Sequence, residues 1–558
     1  MTAPNPPVLP ASPGLPTSPA LRPPPGLPTL PAWPALFGAD ARGLLAETLR
    51  RYVQLRRWFR AKARVIRGAR VVDLVPLGGA SPAEATSVLA LLELQYQTGD
   101  ADWYALPLAR VAPSAVRALV DAAPQALIAL LGQGPDAEGL VDGLQTGQAA
   151  GDLFGLARTG RAAVGEAGQV RGRAEPAMGE LSAAVLAPRI SPGEQTNSTI
   201  AFGDRALMKI YRQLTAGPNP ELEMGLFLSA QPHPPPTPQV LGALAYEVAG
   251  APPRSLGIVH QFFANDGDAW SLTARELRDY FARVAEAPGA DLAAPPIGRF
   301  GALAETLGRR TGELHLALGR PGIAEADFRP EPLTADDRAV AIARVRAMLD
   351  ADLAALGQRR ETLADSPRGL VERLLAPQSG GRRRIETLLE RFGSQPIEAQ
   401  KTRIHGDLHL GQVLVRGDDF VIIDFEGEPA RGLEERRGKS SPLRDVVGMA
   451  RSFGYAPEAV LRESVAADAE AQRIRVACAE AWTRRVSALY LAGYLATVAG
   501  APFLPPAGPQ LSLMLAFHEL ERVIYEIGYE VDNRPDWIDI PLRGLARLVG
   551  DDALGEHS

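Results

Sequence analysis

The sequence predicts an α+β protein of more than one domain, and three observations carry that reading. Short β-branched and aromatic runs punctuated by turn residues dominate the chain up to residue 262, whereas Leu, Val and Ala recur at three- and four-residue spacing beyond it. Inside the helical half lies one apolar hairpin, Val413–Val415 and Phe420–Ile423 around the turn residues Arg416-Gly417-Asp418-Asp419. A length of 558 residues exceeds what one simple core accommodates.

Composition narrows the class. Hydrophobic residues make up 46% and charged residues 22%, enough for a large core. A net charge of −6 argues against a general nucleic-acid binder. Cys478 is the only cysteine, which rules out an internal disulfide or a Cys-rich zinc site and suits a cytoplasmic location. No secretory signal is visible. The uncharged stretch Val486–Leu504 contains Gly493, Gly500 and Pro502 and reads as a buried core helix, so no membrane association is expected.

In chain order, residues 1–35 are Pro-rich without periodicity and read as a disordered tail. Residues 36–115 form a compact unit: a helix over Ala41–Gln54, strands over Arg70–Leu77, Ser87–Gln97 and Trp103–Val111, and Trp58 and Trp103 in its core. Residues 116–262 are expected to hold a second sheet. Its polar loop Ser191–Thr199, which includes Ser198, suits a phosphate-covering turn. A hairpin follows, Thr199–Phe202 with Ala206–Tyr211, and places Lys209 on its second strand. Asn219-Pro220 then starts a helix with Glu221 and Glu223 in its first turn. Leu256–Phe263 is a strand. Residues 263–550 are mostly helical around the hairpin, and 551–558 are a tail.

The hairpin carries the chemistry. Asp407 precedes its first strand and Asp424 follows its second, so closing the hairpin brings both carboxylates to one end, beside Gln412. Two carboxylates and an amide oxygen form a hard-oxygen set suited to Mg²⁺ and phosphates. Kinase-type phosphoryl transfer uses such a set, with one carboxylate taking the acceptor proton and the amide and second carboxylate holding metal. Lys209 followed by Glu223 matches the Lys–Glu pair that grips ATP phosphates, with Glu221 as the rival partner.

The string His405-Gly-Asp-Leu-His-Leu-Gly-Gln412, followed by Asp424-Phe-Glu-Gly-Glu-Pro429, resembles the aminoglycoside-phosphotransferase-like branch of the kinase fold, and within it the bacterial maltokinases. Arg57-Trp-Phe-x-x-Lys-x-Arg64 resembles the start of the maltokinase N-terminal cap. The resemblance implies a bilobed kinase-like fold behind a cap, and transfer of the ATP γ-phosphoryl group, with Mg²⁺, to the anomeric hydroxyl of maltose in α-glucan metabolism. Asp407 would be catalytic, Gln412 and Asp424 metal ligands, and Lys209, Glu223, Ser198, Gln261 and Phe263 would bind ATP. His405, His409, Arg444 and Asp445 would brace the centre. Tyr525, Glu526, Arg534 and Trp537 would bind the sugar. A functional link to trehalose synthase-type enzymes is implied by the same resemblance. Gln412 replaces the Asn of protein kinases, and Glu426 replaces the Gly after Asp424-Phe425. Glucosamine, another sugar or an aminoglycoside are alternative acceptors, and a catalytically silent binding protein is the alternative class.

Overall fold

The structure, a computed structural model, describes residues 27–79, 81–181, 187–190, 197–286, 297–359, 365–375, 379–429, 431–463 and 469–550. It divides into two compact units, residues up to 218 with 240–262, and 219–239 with 263 onward.

Among the described residues of the first unit are two seven-stranded sheets. One runs in the order Thr29–Leu30, Leu127–Leu131, Glu138–Asp142, Asp102–Val111, Ser87–Tyr96, Ile66–Pro76, and Gln213–Leu214 also pairs with Asp102–Val111. The helix Ala39–Gln54 buries Leu45, Leu49 and Val53, three- and four-residue spacing that makes one apolar stripe, in this sheet's core.

Two expectations are corrected here. The sheet of the cap extends past residue 115, because the strands Leu127–Leu131 and Glu138–Asp142 complete it. The proline-rich tail does not reach residue 35. Thr29–Leu30 pairs in parallel with Leu130–Leu131, and Trp33 is fully buried with its indole Nε1 donating to Ala85 O at 3.0 Å. Residues 1–26 of that expected tail lie outside the described residues, as do 551–558 and positions 191–196 of the polar loop.

The other sheet runs Ala162–Val164, Gln169–Ala174, Val240–Glu247, Arg254–Gln261, Ala206–Ile210, Ser198–Phe202, Pro188–Ile190. Ala206, Met208 and Ile210 face its core, which puts Lys209 on the opposite face, in register with Thr199 and Ile258. A buried ion pair joins the two sheets: Arg212 donates to Asp142 at 2.7 Å and to Ser198 Oγ at 2.8 Å, and the Tyr52 hydroxyl also reaches Asp142. Trp103 belongs to the same joint. It is half-buried between Tyr246 and the Arg254 guanidinium, 4.2 Å above its ring, rather than in the cap core, where Trp58 does lie.

The second unit is helical. Phe300–Gly319 and Ala469–Thr497 approach so closely that a Cβ on Gly308 would fall 2.0 Å from Tyr490 O, and one on Gly493 2.2 Å from Glu305 O. The stretch that starts at Val486 is therefore interior packing, and no described helix is long and apolar enough to cross a membrane. The hairpin Val413–Arg416 with Asp419–Ile422 forms as expected and is held on both edges: Val415 exchanges backbone bonds with Asp266 and Gly267, and Ile422 N donates to Pro236 O. Arg310 clamps its turn through both oxygens of Asp419, at 2.7 and 2.5 Å.

Candidate active site

The hairpin's open end is where the site forms. Ile423 N donates to Gln412 O at 3.0 Å, one pair beyond the ladder, and this keeps Gln412 beside the residue that leads into Asp424. Asp424 has φ +66°, and it is the one non-glycine residue with positive φ among the described residues. An L-residue held there stores strain that the surrounding structure must hold in place, a state that clusters at functional sites.

The carboxylates of Asp424, Glu426 and Glu221 converge to within 4.8 Å of one another. Glu221 is buried, in the first turn of the helix Pro220–Ser229, whose start is capped by Asn219 Oδ1 accepting from Glu221 N at 2.9 Å. Three carboxylates with no nitrogen or sulfur among them fit a hard divalent cation such as Mg²⁺.

Glu223, two residues on, is engaged elsewhere. Its oxygens accept from Arg437 at 2.8 and 3.1 Å and from buried Arg403 at 2.8 Å, and its pKa is lowered because these guanidiniums outweigh the opposing effect of burial. The geometry thus assigns the two glutamates different neighbours. Glu221 faces the Asp424 cluster, and Glu223 ties its helix to the catalytic loop through Arg403 and to the helix Leu433–Arg437 through Arg437.

Asp407 sits on the turn made by Gly406, whose φ is +82°. His405 orders this turn. Its Nε2 lies 2.9 Å from Ile423 O and so carries the hydrogen, while Nδ1 accepts from Asp407 N at 3.3 Å. Asp445 accepts the backbone N–H groups of His405 and Gly406 at 2.7 and 2.9 Å, and is held in turn by His315 Nε2 at 3.1 Å. His315, fully buried against Tyr494, is therefore a core histidine whose second nitrogen supports Asp445. A Cβ on Gly448 would meet Leu408 O at 2.8 Å, so this glycine lets the helix Leu443–Glu463 approach the loop. His409 caps the turn Leu410–Gln412 by accepting from Gly411 N at 3.0 Å. Burial, then Arg522 and His405, push its pKa down to about 4, so it is neutral at pH 7.

Burial raises the Asp407 carboxyl to a pKa of about 6, with Glu428 and Asp424 adding to the rise and Arg522 and His405 opposing it. Arg522 Nη1 stands 3.9 Å from Asp407 and 3.8 Å from Glu428. A carboxylate poised near neutrality in a cavity can act as a general base on a hydroxyl.

With this geometry in hand, comparison with known proteins is decisive at the family level. Residues 189–484, more than half of the chain, match the model of the phosphotransferase enzyme family. The chain belongs to that family. Residues 52–145 match the maltokinase N-terminal cap domain, which agrees with a cap sheet running to Asp142.

This phosphotransferase is 26% identical over 365 residues to the glucosamine kinase of Mycolicibacterium smegmatis, covering 64% of the chain and 78% of that relative. It is also 26% identical over 368 residues to the glucosamine kinase of Streptacidiphilus jiangxiensis, covering 64% and 72%. A solved glucosamine kinase in complex with glucosamine, ADP and inorganic phosphate superposes with TM-score 0.57 at 20% identity, over 89% of this chain and 98% of that one. The fold is kinase-like α+β with an N-terminal cap, and the enzyme transfers a phosphoryl group to a hydroxyl acceptor.

The remaining expected residues are distributed unevenly. In the first unit Ser198 Oγ accepts from Arg212, and Gln261 ends its strand in register with Ala206. In the second, Phe263 O accepts from Asn265. Of the four expected sugar residues, only Tyr525 lines the cavity at Asp407, where its hydroxyl faces Glu428.

The other three line a different part of the C-terminal helices. Glu526 is buried against Arg451 at 2.6 Å and meets Arg522 at 3.3 Å, and Arg534 pairs with Glu530. Trp537 stacks on Tyr455, with Arg462 and Arg534 guanidiniums 5.1 and 4.9 Å from its ring. Arg444 does line the cavity, against Glu521 at 3.3 Å.

Sequence reasoning passed over Glu428, His518, Glu521 and Arg522. The signal was present: His518, Glu521, Arg522 and Tyr525 recur at three- and four-residue spacing on the helix Pro509–Asn533, one face of which is polar.

Proposed function

We propose that this enzyme transfers the γ-phosphoryl group of ATP to a sugar hydroxyl. The observation that carries the reading is the pairing, around one hairpin end, of a buried Asp407 poised near neutrality with the Glu221–Asp424–Glu426 oxygen cluster. In this reading Asp407 takes the acceptor proton, and Asp424, Glu426 and Gln412 hold Mg²⁺. The ion, when bound, neutralises charge on the phosphates. Lys209 is the candidate phosphate ligand on the first unit. Glu221 replaces Glu223 as the proposed functional glutamate of its helix, because it stands with Asp424 and Glu426 while Glu223 is bound by Arg403 and Arg437.

The acceptor has two readings. An amino sugar is favoured by the two glucosamine kinases named above and by the solved glucosamine complex. Maltose is favoured by the catalytic-loop string and by the cap that maltokinases carry. Incubation with ATP, Mg²⁺ and each sugar in turn, followed by NMR of the products, distinguishes them. Glucosamine 6- or 1-phosphate supports the first, and maltose 1-phosphate the second. Absence of sugar-dependent ADP with the whole panel would remove the sugar-kinase reading.

A further inference from the structure

A buried chain of polar groups leads from two core helices to the catalytic loop, and the proposed chemistry makes no use of its inner members. Tyr494, on Ala469–Thr497, has its hydroxyl 3.0 Å from Nδ1 of His315, on Phe300–Gly319. His315 Nε2 lies 3.1 Å from Oδ2 of Asp445, at the start of Leu443–Glu463. His315 and Tyr494 are fully buried, and Asp445 is 2% exposed.

The ends of the chain fix the hydrogen in its middle. A carboxylate oxygen accepts, so Nε2 carries the hydrogen, and in the neutral ring Nδ1 is bare and accepts from the Tyr494 hydroxyl. Burial, with Tyr490 and Asp445 adding to it, raises the Tyr494 pKa well above its ordinary value, so that hydroxyl keeps its hydrogen.

Among the described residues, three hydrogen bonds reach the Asp445 carboxylate. Two come from the loop it holds, His405 N and Gly406 N, and the third comes from His315. A carboxylate tied only to the loop would turn with it, whereas the third bond ties its orientation to the core. The helix of His315 is itself fixed. A Cβ on Gly308 would fall 2.0 Å from Tyr490 O, and one turn before His315 the Tyr490 hydroxyl donates to Thr311 Oγ1 at 3.2 Å. Burial opposes the ionised Asp445, but the His315 hydrogen bond leads the opposing effects, and its pKa stays below the ordinary value. A buried polar chain with its members satisfied rigidifies what it touches.

We propose that His315 and Tyr494 are positioning residues for phosphoryl transfer. Together they fix one orientation of Asp445 and, through His405 N and Gly406 N, the turn that presents Asp407. The proposal rests on the reading of Asp407 as the base, since Asp407 is the residue that follows Gly406.

The test compares the wild type with His315→Gln, His315→Phe, Tyr494→Phe, the His315→Phe/Tyr494→Phe double variant and Asp407→Asn, using ATP, Mg²⁺ and the best sugar of the panel. His315→Phe keeps a ring and loses both nitrogens. In His315→Gln the amide N–H replaces Nε2–H and the amide oxygen takes the Tyr494 hydroxyl. His315→Phe is expected to lower kcat by about 10²-fold with both KM values within about threefold of wild type. His315→Gln should recover at least about tenfold of that loss, and Tyr494→Phe alone should lower kcat about tenfold. The double variant should match His315→Phe, because Tyr494 acts through the ring.

A kcat near wild type for His315→Phe while Asp407→Asn is inactive would overturn the positioning role alone. Near wild-type turnover by Asp407→Asn would overturn the reading it rests on. Equal kcat for His315→Gln and His315→Phe, or losses confined to the melting temperature, would reduce the chain to packing. Should His315→Phe fail to fold, ¹⁵N NMR of the histidine-labelled wild type and Tyr494→Phe decides. The ring whose signals move in Tyr494→Phe is expected to carry its hydrogen on Nε2 with Nδ1 bare, and a hydrogen on Nδ1 would overturn the proposal.

Discussion

Two clusters in the C-terminal helices invite comparison, one around Asp407 and one around Trp537. Both gather arginines, glutamates and an aromatic ring. Around Trp537 every contact closes on itself: Tyr455 stacks on the ring and donates to Glu530, Arg534 binds Glu530, and Arg462 caps the ring while pairing with Asp539. Around Asp407 the contacts stay open. Arg522 stands off at 3.9 Å, Asp407 is held partly protonated near neutrality, and the Arg522 and Arg344 guanidiniums facing Glu428 Oε1 and Glu521 Oε1 stand off at 3.8 Å. Aromatic and charged residues of the same kinds thus make a structural knot in one place and an open site in the other. What separates them is whether their hydrogen-bonding capacity is already filled.

The largest expected effect in this comparison is at the open cluster. Asp424→Ala should lose Mg-ATP affinity and turnover together, on the order of 10³-fold or more in kcat/KM. An unchanged Mg²⁺ requirement would remove Asp424 from the metal site. Next come the paired glutamates of one helix turn. Glu221→Gln should cost on the order of 10²-fold in kcat/KM for ATP. Glu223→Gln, which loosens the Arg403 and Arg437 ties, should cost less than about tenfold and lower the melting temperature instead. The reverse order would restore Glu223 as the functional glutamate.

The pH dependence sharpens the same contrast. Because burial raises the Asp407 pKa to about 6 in the folded state, kcat/KM should rise with pH through that value as the base ionises. Stability has the opposite sign. The folded state holds the proton more tightly than the unfolded chain, so Asp407 costs stability as pH rises from about 4 to about 6, and the full cost persists above. Asp407→Asn should therefore raise the melting temperature of the metal-free protein at pH 8 and leave it nearly unchanged at pH 4. A variant equally or less stable at pH 8 would contradict a buried, raised carboxyl. The smallest effect belongs to the closed cluster. Trp537→Ala should cost roughly 1–3 kcal/mol of stability from lost stacking and packing, with the KM for the sugar and for ATP both little changed in the folded variant. A selective rise in the sugar KM would return Trp537 to the acceptor site.

How much could be read before the coordinates follows from the range over which each feature is determined. The hairpin and its two carboxylates were legible because a period-two ladder between near neighbours fixes which ends meet. Lys209 was legible as a strand residue for the same local reason. The fate of Trp537 was not, since its partners Tyr455 and Arg462 lie 82 and 75 residues away along the chain, and only tertiary packing decides whether a ring is covered. Glu221 and Glu223 were both visible in the first turn of their helix. Choosing between them required the positions of Arg403 and Arg437, about 180 and 214 residues distant. The cap boundary at 115 fell short because strands Leu127–Leu131 and Glu138–Asp142 are short and apolar, a pattern that periodicity alone does not assign to one sheet or the next.

The central claim, that Asp407 activates a sugar hydroxyl for attack on ATP, is tested most directly by product analysis of the wild type and Asp407→Asn side by side. Each protein is incubated with ATP, Mg²⁺ and the best sugar of the panel, and ³¹P NMR follows ADP and sugar phosphate, with nucleotide affinity measured on the same samples. The account predicts one sugar phosphate per ADP from the wild type, and a variant that binds ATP normally but is slower by about 10²–10⁴-fold. Near wild-type turnover by Asp407→Asn, or ADP formed at the same rate with and without sugar, would contradict it.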